Sequence, residues 1–246
     1  THDERRIKLK NILLEASQKN GTLVIPAFSV ERTQEILFEM NEMIESGQVP
    51  RIPVYLDSPL AIAVTEVFKT SKEYFNKDAR VKIKSDDIFD FPGLTMVRSS
   101  DESRALRGVP GPKIIIAGSG MMNGGRVVHH AFNYLQDPNS TFLIIGYQAP
   151  GTLGRMIVDG LKHVKIFGEM LTIRAQLRTI NGYSAHKDSD SLVEFVEPMV
   201  GRLKKVFVVL GEPKASFFLA QRLVDTYGIE VSVPEKGEIA TVPFRV

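Results

Sequence analysis

Short, continuously apolar runs alternate with amphipathic helical runs along most of this chain, and this alternation limits the folds available to it. The predicted strands cover residues 23–26, 53–57, 113–117 and 141–145. Each is followed by a predicted helix, at residues 30–46, 60–75, 125–135 and 154–161. Strands that are apolar throughout are buried on both faces, as in a parallel sheet covered by helices. The sequence therefore predicts a doubly wound α/β fold with a mostly parallel sheet.

The pattern changes near residue 164, where strand candidates follow one another directly. The predicted elements of this part are strands at residues 164–167, 171–180, 205–210, 229–233 and 240–244, and helices at 188–200 and 214–227. We therefore expect a domain boundary near residue 164, which divides a larger domain at residues 22–163 from a smaller α/β segment at residues 164–246. A helical pattern also begins almost at Thr1, which indicates a linking helix at residues 1–21 and a chain that starts inside a larger protein.

Composition excludes several classes of function. Hydrophobic residues make up 43% and charged residues 24% of the 246 residues, which is typical of a soluble globular protein. The net charge of +2 gives no overall signature of a nucleic-acid-binding protein, although a local basic groove is compatible with it. The absence of cysteine excludes disulfides, a thiol nucleophile and cysteine-ligated metal sites. No apolar run has the length of a membrane span and no signal peptide is recognisable, so we expect a cytoplasmic protein without a membrane partner.

One histidine lies in a loop of small residues, at residues 182–188 (GYSAHKD), between a predicted strand and a predicted helix. The small residues let the backbone turn tightly, and Asp188 is a suitable cap for the helix. At a helix N-terminus, where anions bind readily, His186 could act as a proton donor. A capped loop histidine without a chemical role is the alternative, and the loop alone leaves it open.

A glycine-rich loop joins the predicted strand at residues 113–117 to the following helix and reads AGSGMMNGGR over residues 117–126. Its glycines can expose backbone N–H groups to an anion, and Arg126 adds a positive charge. The spacing fits neither a P-loop nor a dinucleotide fingerprint. The loop therefore indicates either a phosphate-binding site or a tight turn.

Three further loops follow predicted strands, where ligands of α/β sheets bind. Arg32 lies in the first turn of a predicted helix, where the helix dipole slightly disfavours a cation. A functional arginine and an exposed surface arginine both fit that position. Residues 57–59 (DSP) indicate a helix cap with proline at the first position. Tyr147 follows another predicted strand and could stack on a base or simply pack.

The five histidines do not form a recognisable metal site. Neither a His-x-His nor a His-Glu-x-x-His motif occurs, and cysteine is absent. On its own residues, the chain is not expected to bind a catalytic metal.

Four segments together resemble the β-CASP branch of the metallo-β-lactamase-fold nucleases, the branch of the cleavage-and-polyadenylation endonuclease and its bacterial and archaeal relatives. The matching segments, in family order, are residues 25–35 (IPAFSVERTQE), 55–60 (YLDSPL), 117–130 (AGSGMMNGGRVVHH) and 182–186 (GYSAH). The resemblance implies that residues 22–163 form a β-CASP domain. It also implies that residues 164–246 form the C-terminal part of a metallo-β-lactamase αββα fold, whose N-terminal half would precede this chain.

The resemblance implies hydrolysis of RNA phosphodiester bonds at a two-zinc centre, with water activated between the metals. Most zinc ligands of the family lie in the missing N-terminal half, so no metal ligand is assigned in this chain. His186 corresponds to the family histidine that faces the scissile phosphate and can protonate the leaving oxygen. Glu4 corresponds to the acidic β-CASP residue, with Asp3 as the near alternative, and a carboxylate beside an imidazole favours its charged form. The implied phosphate-binding residues are Arg32, Ser119, Gly120, Arg126 and Ser184.

Leu210 departs from the family pattern, because it stands where RNA-cleaving members carry a zinc-binding histidine and DNA-acting relatives carry valine. Leucine cannot bind zinc. The chain therefore belongs either to a nuclease with an altered metal centre or to a catalytically impaired RNA-binding or scaffold subunit. A metal-free α/β module that binds a nucleotide or sugar phosphate is a third interpretation, which the glycine-rich loop alone would allow.

The chain by itself is predicted to hold no stoichiometric zinc and to cleave no RNA. Its expected partners are RNA and the N-terminal half, and a homodimer is compatible with the sequence.

Overall fold

The computed structural model describes residues 2–75, 80, 87–183 and 186–242. The helices are α1 (His2–Gln18), α2 (Arg32–Glu45), α3 (Pro59–Thr70), α4 (Ser100–Ala105), α5 (Arg126–Tyr134), α6 (Leu153–Val158), α7 (Ser189–Val196) and α8 (Pro213–Tyr227). The strands are β1 (Thr22–Pro26), β2 (Val54–Asp57), β3 (Leu94–Met96), β4 (Lys113–Ala117), β5 (Thr141–Ile144), β6 (His163–Ile166), β7 (Glu169–Thr172), β8 (Gln176–Thr179), β9 (Val206–Phe207) and β10 (Val231–Ser232). The chain divides into two compact units, Thr1–Ser184 and Ala185–Val246.

The first unit is built on a six-stranded parallel sheet with the order β3-β2-β4-β1-β5-β8. Every residue of β1 and β4 is buried. Successive strand residues point to opposite faces, and accordingly Leu23 and Ile25 belong to one apolar cluster while Val24 belongs to another. The first cluster takes in residues of α1, α2 and α3, and the second takes in residues of α5 and α6. The predicted doubly wound α/β fold is therefore confirmed.

Local sequence explains where several helices begin and end. Ser58 caps α3 by accepting a hydrogen bond from the Ala61 N–H at 3.2 Å, with proline in the first turn, as the sequence predicted. Asp188 likewise caps α7 by accepting from the Ser191 N–H at 2.8 Å. At its other end, α8 stops at Gly228, whose left-handed φ of 64° suits glycine.

The strand predicted at residues 171–180 is wrong as a single element. β7 turns back on β6 as an antiparallel hairpin, whereas β8 joins the central sheet beside β5. The chain changes direction between them because the N–H groups of Arg174 and Ala175 both donate to the carbonyl of Leu135, at 2.8 and 3.0 Å. The strand β3 and the helix α4 were not predicted. A strand was also predicted at residues 240–244. Residues 240–242 do not form a strand, and residues 243 and 244 lie outside the described residues.

The second unit is small and its core is thin. β9 and β10 form a parallel pair of two residues each, and Val193, Val196 and Leu223 form the buried apolar cluster. The domain boundary expected near residue 164 stays a prediction. Within the part of the chain that the structure describes, no helix has the length and apolar character needed to cross a membrane.

Candidate nucleic-acid interface

A cleft of about 390 Å³ opens at the carboxyl ends of β1, β2 and β4. These ends meet because the three strands are neighbours in register, so that both Pro26 and Asp57 align with Ala117. The lining residues are Ser29, Asp57, Ser58, Pro59, Leu60, Gly118, Ser119, Gly125 and Arg126. This is the edge of an α/β sheet at which ligands bind. Of the predicted phosphate-binding residues, Ser119 and Arg126 therefore face one cleft.

The glycine-rich loop is folded tightly on itself. The N–H of Ser119 donates to the Gly124 carbonyl at 3.4 Å, and the Asn123 N–H donates to the Ser119 hydroxyl at 3.3 Å. Gly125 has a φ of 72°, and a Cβ there would lie 2.6 Å from the Gly118 carbonyl oxygen, so glycine is needed at this position. Some of the backbone N–H groups that were expected to bind an anion therefore donate to acceptors inside the loop. The Ser119 side chain supplies a hydroxyl at the cleft.

Arg126 is held by a buried carboxylate. Its Nη1 donates to Asp57 Oδ1 at 2.7 Å and to the Val97 carbonyl at 3.0 Å, and its Nη2 donates to the Arg98 carbonyl at 2.9 Å. His130 Nε2 lies 2.6 Å from Asp57 Oδ2, which also accepts from the Ser103 hydroxyl. These bonds connect β2 to the first two turns of α5. Asp57, at the centre of the network, is fully buried.

The electrostatics of this network follow from its geometry. Burial alone would raise the pKa of Asp57, but the hydrogen bonds from His130, Ser103 and Arg126 outweigh it and hold the pKa below its ordinary value of 3.8. The carboxylate is therefore charged at neutral pH and balances the guanidinium beside it. The cleft offers hydroxyls and a partly neutralised arginine rather than a strong positive field.

Residues 57–59 were predicted only as a helix cap, so the roles of Asp57 and His130 were not predicted. An aspartate that ends a buried strand, at the edge where ligands bind, was the available signal. The partners of Asp57 lie far along the chain, and no local pattern links them.

The β1–α2 loop is held by side chains in the first turn of α2. Thr33 Oγ1 donates to the Phe28 carbonyl at 2.8 Å, and Gln34 Nε2 donates to the Ser29 carbonyl at 3.2 Å and to Thr65 Oγ1 at 2.9 Å. Arg32 begins α2 and pairs with Glu35 and, at 3.1 Å, with Glu31. These carboxylates offset the charge of Arg32, whose proposed contact with phosphate stays a prediction.

A buried ionic network fixes the start of the histidine loop. Arg5 pairs with Glu39 and donates to the Gly182 carbonyl at 2.9 Å, while the Tyr183 hydroxyl donates to Glu39 Oε2 at 2.6 Å. The Arg5 guanidinium also lies 4.2 Å from the centre of the Tyr183 ring. Burial, and then the charge of Glu39, raise the pKa of Tyr183 far above its ordinary value. This network was not predicted, although a charged residue at position 39, on the apolar face of α2, was a signal.

The two residues predicted to form an acid–carboxylate pair lie in different compact units. Glu4 is exposed in the first turn of α1 and lines a cavity of about 470 Å³ with Arg5 and Gly182, among others. His186 is exposed at the start of the second unit. Ser184 lies outside the described residues, and the pairing of Glu4 with His186 stays a prediction.

The described residues do not provide a metal site. Across residues 2–75, 80, 87–183 and 186–242, no group of three or more His, Asp or Glu side chains could hold an ion. Leu210 is fully exposed just after β9, in a left-handed conformation with a φ of 65°. The described residues therefore do not by themselves form the two-zinc centre, which the resemblance places mostly outside this chain.

Two protein-family models match this chain. The Beta-Casp domain matches residues 33–157, about half of the chain, and the Zn-dependent metallo-hydrolase RNA specificity domain matches residues 170–234.

Similar proteins occur in bacteria and archaea. A ribonuclease of Thermus thermophilus is 35% identical over 92% of this chain and 51% of its own length. A transcription termination factor, FttA, of Methanosarcina mazei is 35% identical over 90% of this chain and 36% of its own length. An RNase J-like protein of Methanocaldococcus jannaschii is 32% identical over 93% of this chain and 52% of its own length. The chain thus spans between about a third and a half of the length of these relatives.

Proposed function

Because the chain belongs to the β-CASP family of metallo-β-lactamase-fold proteins, we propose that the full-length protein is an RNA-processing nuclease that hydrolyses phosphodiester bonds. The observation that supports this proposal most directly is the cleft at the carboxyl ends of β1, β2 and β4, where Ser119 and Arg126 lie together. Relatives that are named a ribonuclease, a transcription termination factor and an RNase J-like protein are compatible with an RNA substrate.

In this proposal the glycine-rich loop binds the RNA backbone. The guanidinium of Arg126 has five N–H groups, of which three make the bonds to Asp57, Val97 and Arg98. The other two are proposed to donate to a phosphate oxygen in the cleft, together with the hydroxyl of Ser119. Gly120 is buried and does not line the cleft, so its predicted contact with phosphate stays a prediction. Arg32 and Ser184 are proposed to add further backbone contacts.

His186 is the proposed general acid, with Glu4 as the carboxylate that orients its ring. A charged imidazole can pass a proton to the leaving oxygen of a cleaved phosphodiester, and a positioned acid of this kind contributes roughly a hundred-fold to ten-thousand-fold in rate. Two zinc ions of the full-length protein are proposed to be held by ligands that lie mostly outside this chain.

A catalytically impaired RNA-binding subunit is the second candidate, and Leu210 is the observation that favours it. The side chain is fully exposed and chemically unable to bind a metal. A protein that had kept the RNA cleft but lost a metal ligand would bind RNA without cleaving it.

Cleavage of a labelled RNA by the full-length protein separates the two candidates. We expect cleavage by the wild type, a loss of at least about a hundred-fold in His186→Ala, and full activity in the control His163→Ala, which removes an exposed histidine of β6. Activity that appears only in Leu210→His, with RNA binding already present in the wild type, would establish the impaired subunit instead. Equal rates for His186→Ala and the control would remove the general-acid role.

The isolated chain provides a separate test. Metal analysis of the purified 246-residue chain is expected to find no stoichiometric zinc, and a labelled RNA should stay intact. About two zinc ions per chain, as in a two-metal site, together with RNA cleavage would overturn this part of the proposal.

A further inference from the structure

Phe28 presents a partly exposed aromatic ring that packs against Gly120. It follows β1 directly after Ala27, and 42% of its surface is exposed. A Cβ at Gly120 would lie 2.7, 2.8 and 3.0 Å from three adjacent ring atoms, Cδ2, Cε2 and Cγ. Nearly equal distances to three adjacent atoms mean that Gly120 lies against the face of the ring and not its edge.

Hydrogen bonds from the first turn of α2 fix the backbone of Phe28. The carbonyl of Phe28 accepts a hydrogen bond from Thr33 Oγ1 at 2.8 Å and another from the Thr33 N–H at 3.3 Å. The first turn of α2 therefore fixes the residue that carries the ring. An aromatic side chain in such a position loses little further freedom when a ligand packs against it.

Phe28 and Gly120, which pack against each other, are each next in sequence to a residue that lines the cleft. Ser29 follows Phe28, Ser119 precedes Gly120, and both serines belong to the cleft wall. Phe28 does not itself line the cleft, but the residue that carries the ring is directly next to a wall that offers hydroxyls and an arginine. Tyr147, which is 54% exposed, leaves the same edge of the sheet after the neighbouring strand β5.

We propose that Phe28 is a stacking platform for a nucleobase of single-stranded RNA whose backbone lies in the adjoining cleft. The inference rests on the proposed function, since it names how that site holds its substrate. An aromatic face next to a cleft whose wall carries serine hydroxyls and Arg126 matches one nucleotide, because the phosphate needs hydrogen-bond donors and the base needs a flat apolar surface. Stacking of this kind accepts any base, so the platform would add affinity without sequence preference.

The test compares two oligomers of equal length, a single-stranded RNA and a ribose-phosphate oligomer without bases. Binding to the full-length protein is measured by fluorescence anisotropy in the presence of EDTA, so that cleavage does not interfere. Phe28→Ala is expected to raise the Kd for RNA roughly ten-fold, as the loss of one stacked base would. The Kd for the baseless oligomer should not change, and Phe28→Trp should restore RNA binding. Tyr74→Ala, which removes an aromatic side chain that is 85% exposed, is the matched control and should leave both Kd values unchanged.

A second variant changes Gly120, the residue that packs against the Phe28 ring. Gly120→Ala adds a Cβ that must displace the Phe28 ring, so it should repeat the loss that depends on bases. Unchanged RNA binding in Phe28→Ala, or an equal loss with both oligomers, would overturn the platform while the RNA-binding function stands. Failure of the wild type to bind either oligomer would overturn the proposed function and the platform together.

Discussion

The first compact unit contains buried ion pairs in addition to exposed ones, whereas the ion pairs described in the second unit are exposed. In the first unit the side chains of Asp57 and Glu39 are at most 1% exposed, and each pairs with an arginine that is itself mostly buried. In the second unit the pair Arg222–Asp190 has exposed fractions of 31% and 74%. Buried pairs of this kind are costly to break, whereas exposed pairs contribute little. Polar groups therefore help to fix the structure of the first unit, while the second depends on a few apolar residues.

The difference extends to apolar surface. Among the described residues of the second unit, the buried apolar side chains are those of Val193, Val196 and Leu223. Others are exposed, such as Phe195 at 70% and Phe217 at 62%. A segment of a larger domain would have this surface, and the assignment of residues 164–246 to a metallo-β-lactamase domain stays a prediction. Both residues that decide the proposed chemistry, His186 and Leu210, lie in this thinner unit.

Removal of one carboxylate from each unit should test this contrast most strongly. Asp57→Ala leaves Arg126 and His130 without their buried partner, so we expect a loss of about 3–5 kcal/mol in the free energy of unfolding. Asp190→Ala removes an exposed partner of Arg222 and should lower that free energy by less than about 1 kcal/mol. Chemical denaturation measures the unfolding free energy of both variants. Amide hydrogen exchange in β4 follows the first unit, and exchange in α8 follows the second. Equal losses in the two variants would mean that the contrast in burial has no energetic consequence.

A cavity in the small core of the second unit should destabilise that unit. Leu223 is 1% exposed and packs in the cluster with Val193 and Val196. Leu223→Ala should therefore cost about 2–3 kcal/mol through lost burial and a cavity. Hydrogen exchange should report this loss in α8 while β4 stays protected.

Phe217→Ala, on the exposed surface of the same helix, is the control and should change the exchange rates little. If β4 lost protection together with α8 in Leu223→Ala, the two units would unfold as one, and the comparison between them would fail.

Much of the first unit could be predicted because its signals are local. The apolar runs of β1, β2, β4 and β5 and the cap of α3 are short patterns that a sequence displays directly. β8 was merged with β7 because its residues are half exposed at the edge of the sheet and give no apolar run. β3 escaped prediction for a similar reason, since it has three residues and a mixed exposure.

The candidate site was predicted in part for the same physical reason. The glycine-rich loop and Arg126 belong to one continuous segment, so spacing was enough to single them out. The bond between Asp57 and His130 joins residues 73 positions apart, which meet only because β2 and β4 are neighbours in the sheet and α5 follows β4. Arg5, Glu39 and Tyr183 likewise meet from three distant segments.

Acid titration should separate the buried carboxylate from an exposed one. The pKa of Asp57 is held below 3.8 in the folded state, so its contribution to stability is fully present above that value. The contribution is lost as the pH falls through the lowered pKa. The difference in unfolding free energy between wild type and Asp57→Asn should therefore be constant above about pH 5 and shrink below about pH 4.

Asp188 provides the comparison from the second unit. The Ser191 hydrogen bond lowers the pKa of its carboxyl in the same direction, but this carboxyl is an exposed cap that asparagine can replace. Asp188→Asn should consequently change the acid sensitivity less than Asp57→Asn. A flat difference between wild type and Asp57→Asn down to pH 3 would contradict the lowered pKa of Asp57.

The smallest expected effects concern backbone strain, which occurs in both units. Glu31 has a φ of 62° and Leu210 a φ of 65°, values that favour glycine over residues with a Cβ. Glu31→Gly should relieve roughly 1–2 kcal/mol of strain and lose about 1 kcal/mol through the greater freedom of glycine in the unfolded chain. A net gain of up to about 1 kcal/mol is therefore expected in the first unit. Leu210→Gly should give a similar gain in the second.

Glu31→Ala separates strain from charge at the first of these positions. Alanine keeps the unfavourable φ and removes the ion pair with Arg32, which is 3.1 Å away in the wild type. It should therefore bring no gain in thermal or denaturant stability. If Glu31→Ala stabilised the protein as much as Glu31→Gly, the left-handed backbone would not be the cause. If Leu210→Gly stabilised the second unit while Glu31→Gly left the first unchanged, the dense charge network of the first unit would already compensate its strain, and the contrast between the units would extend to the backbone.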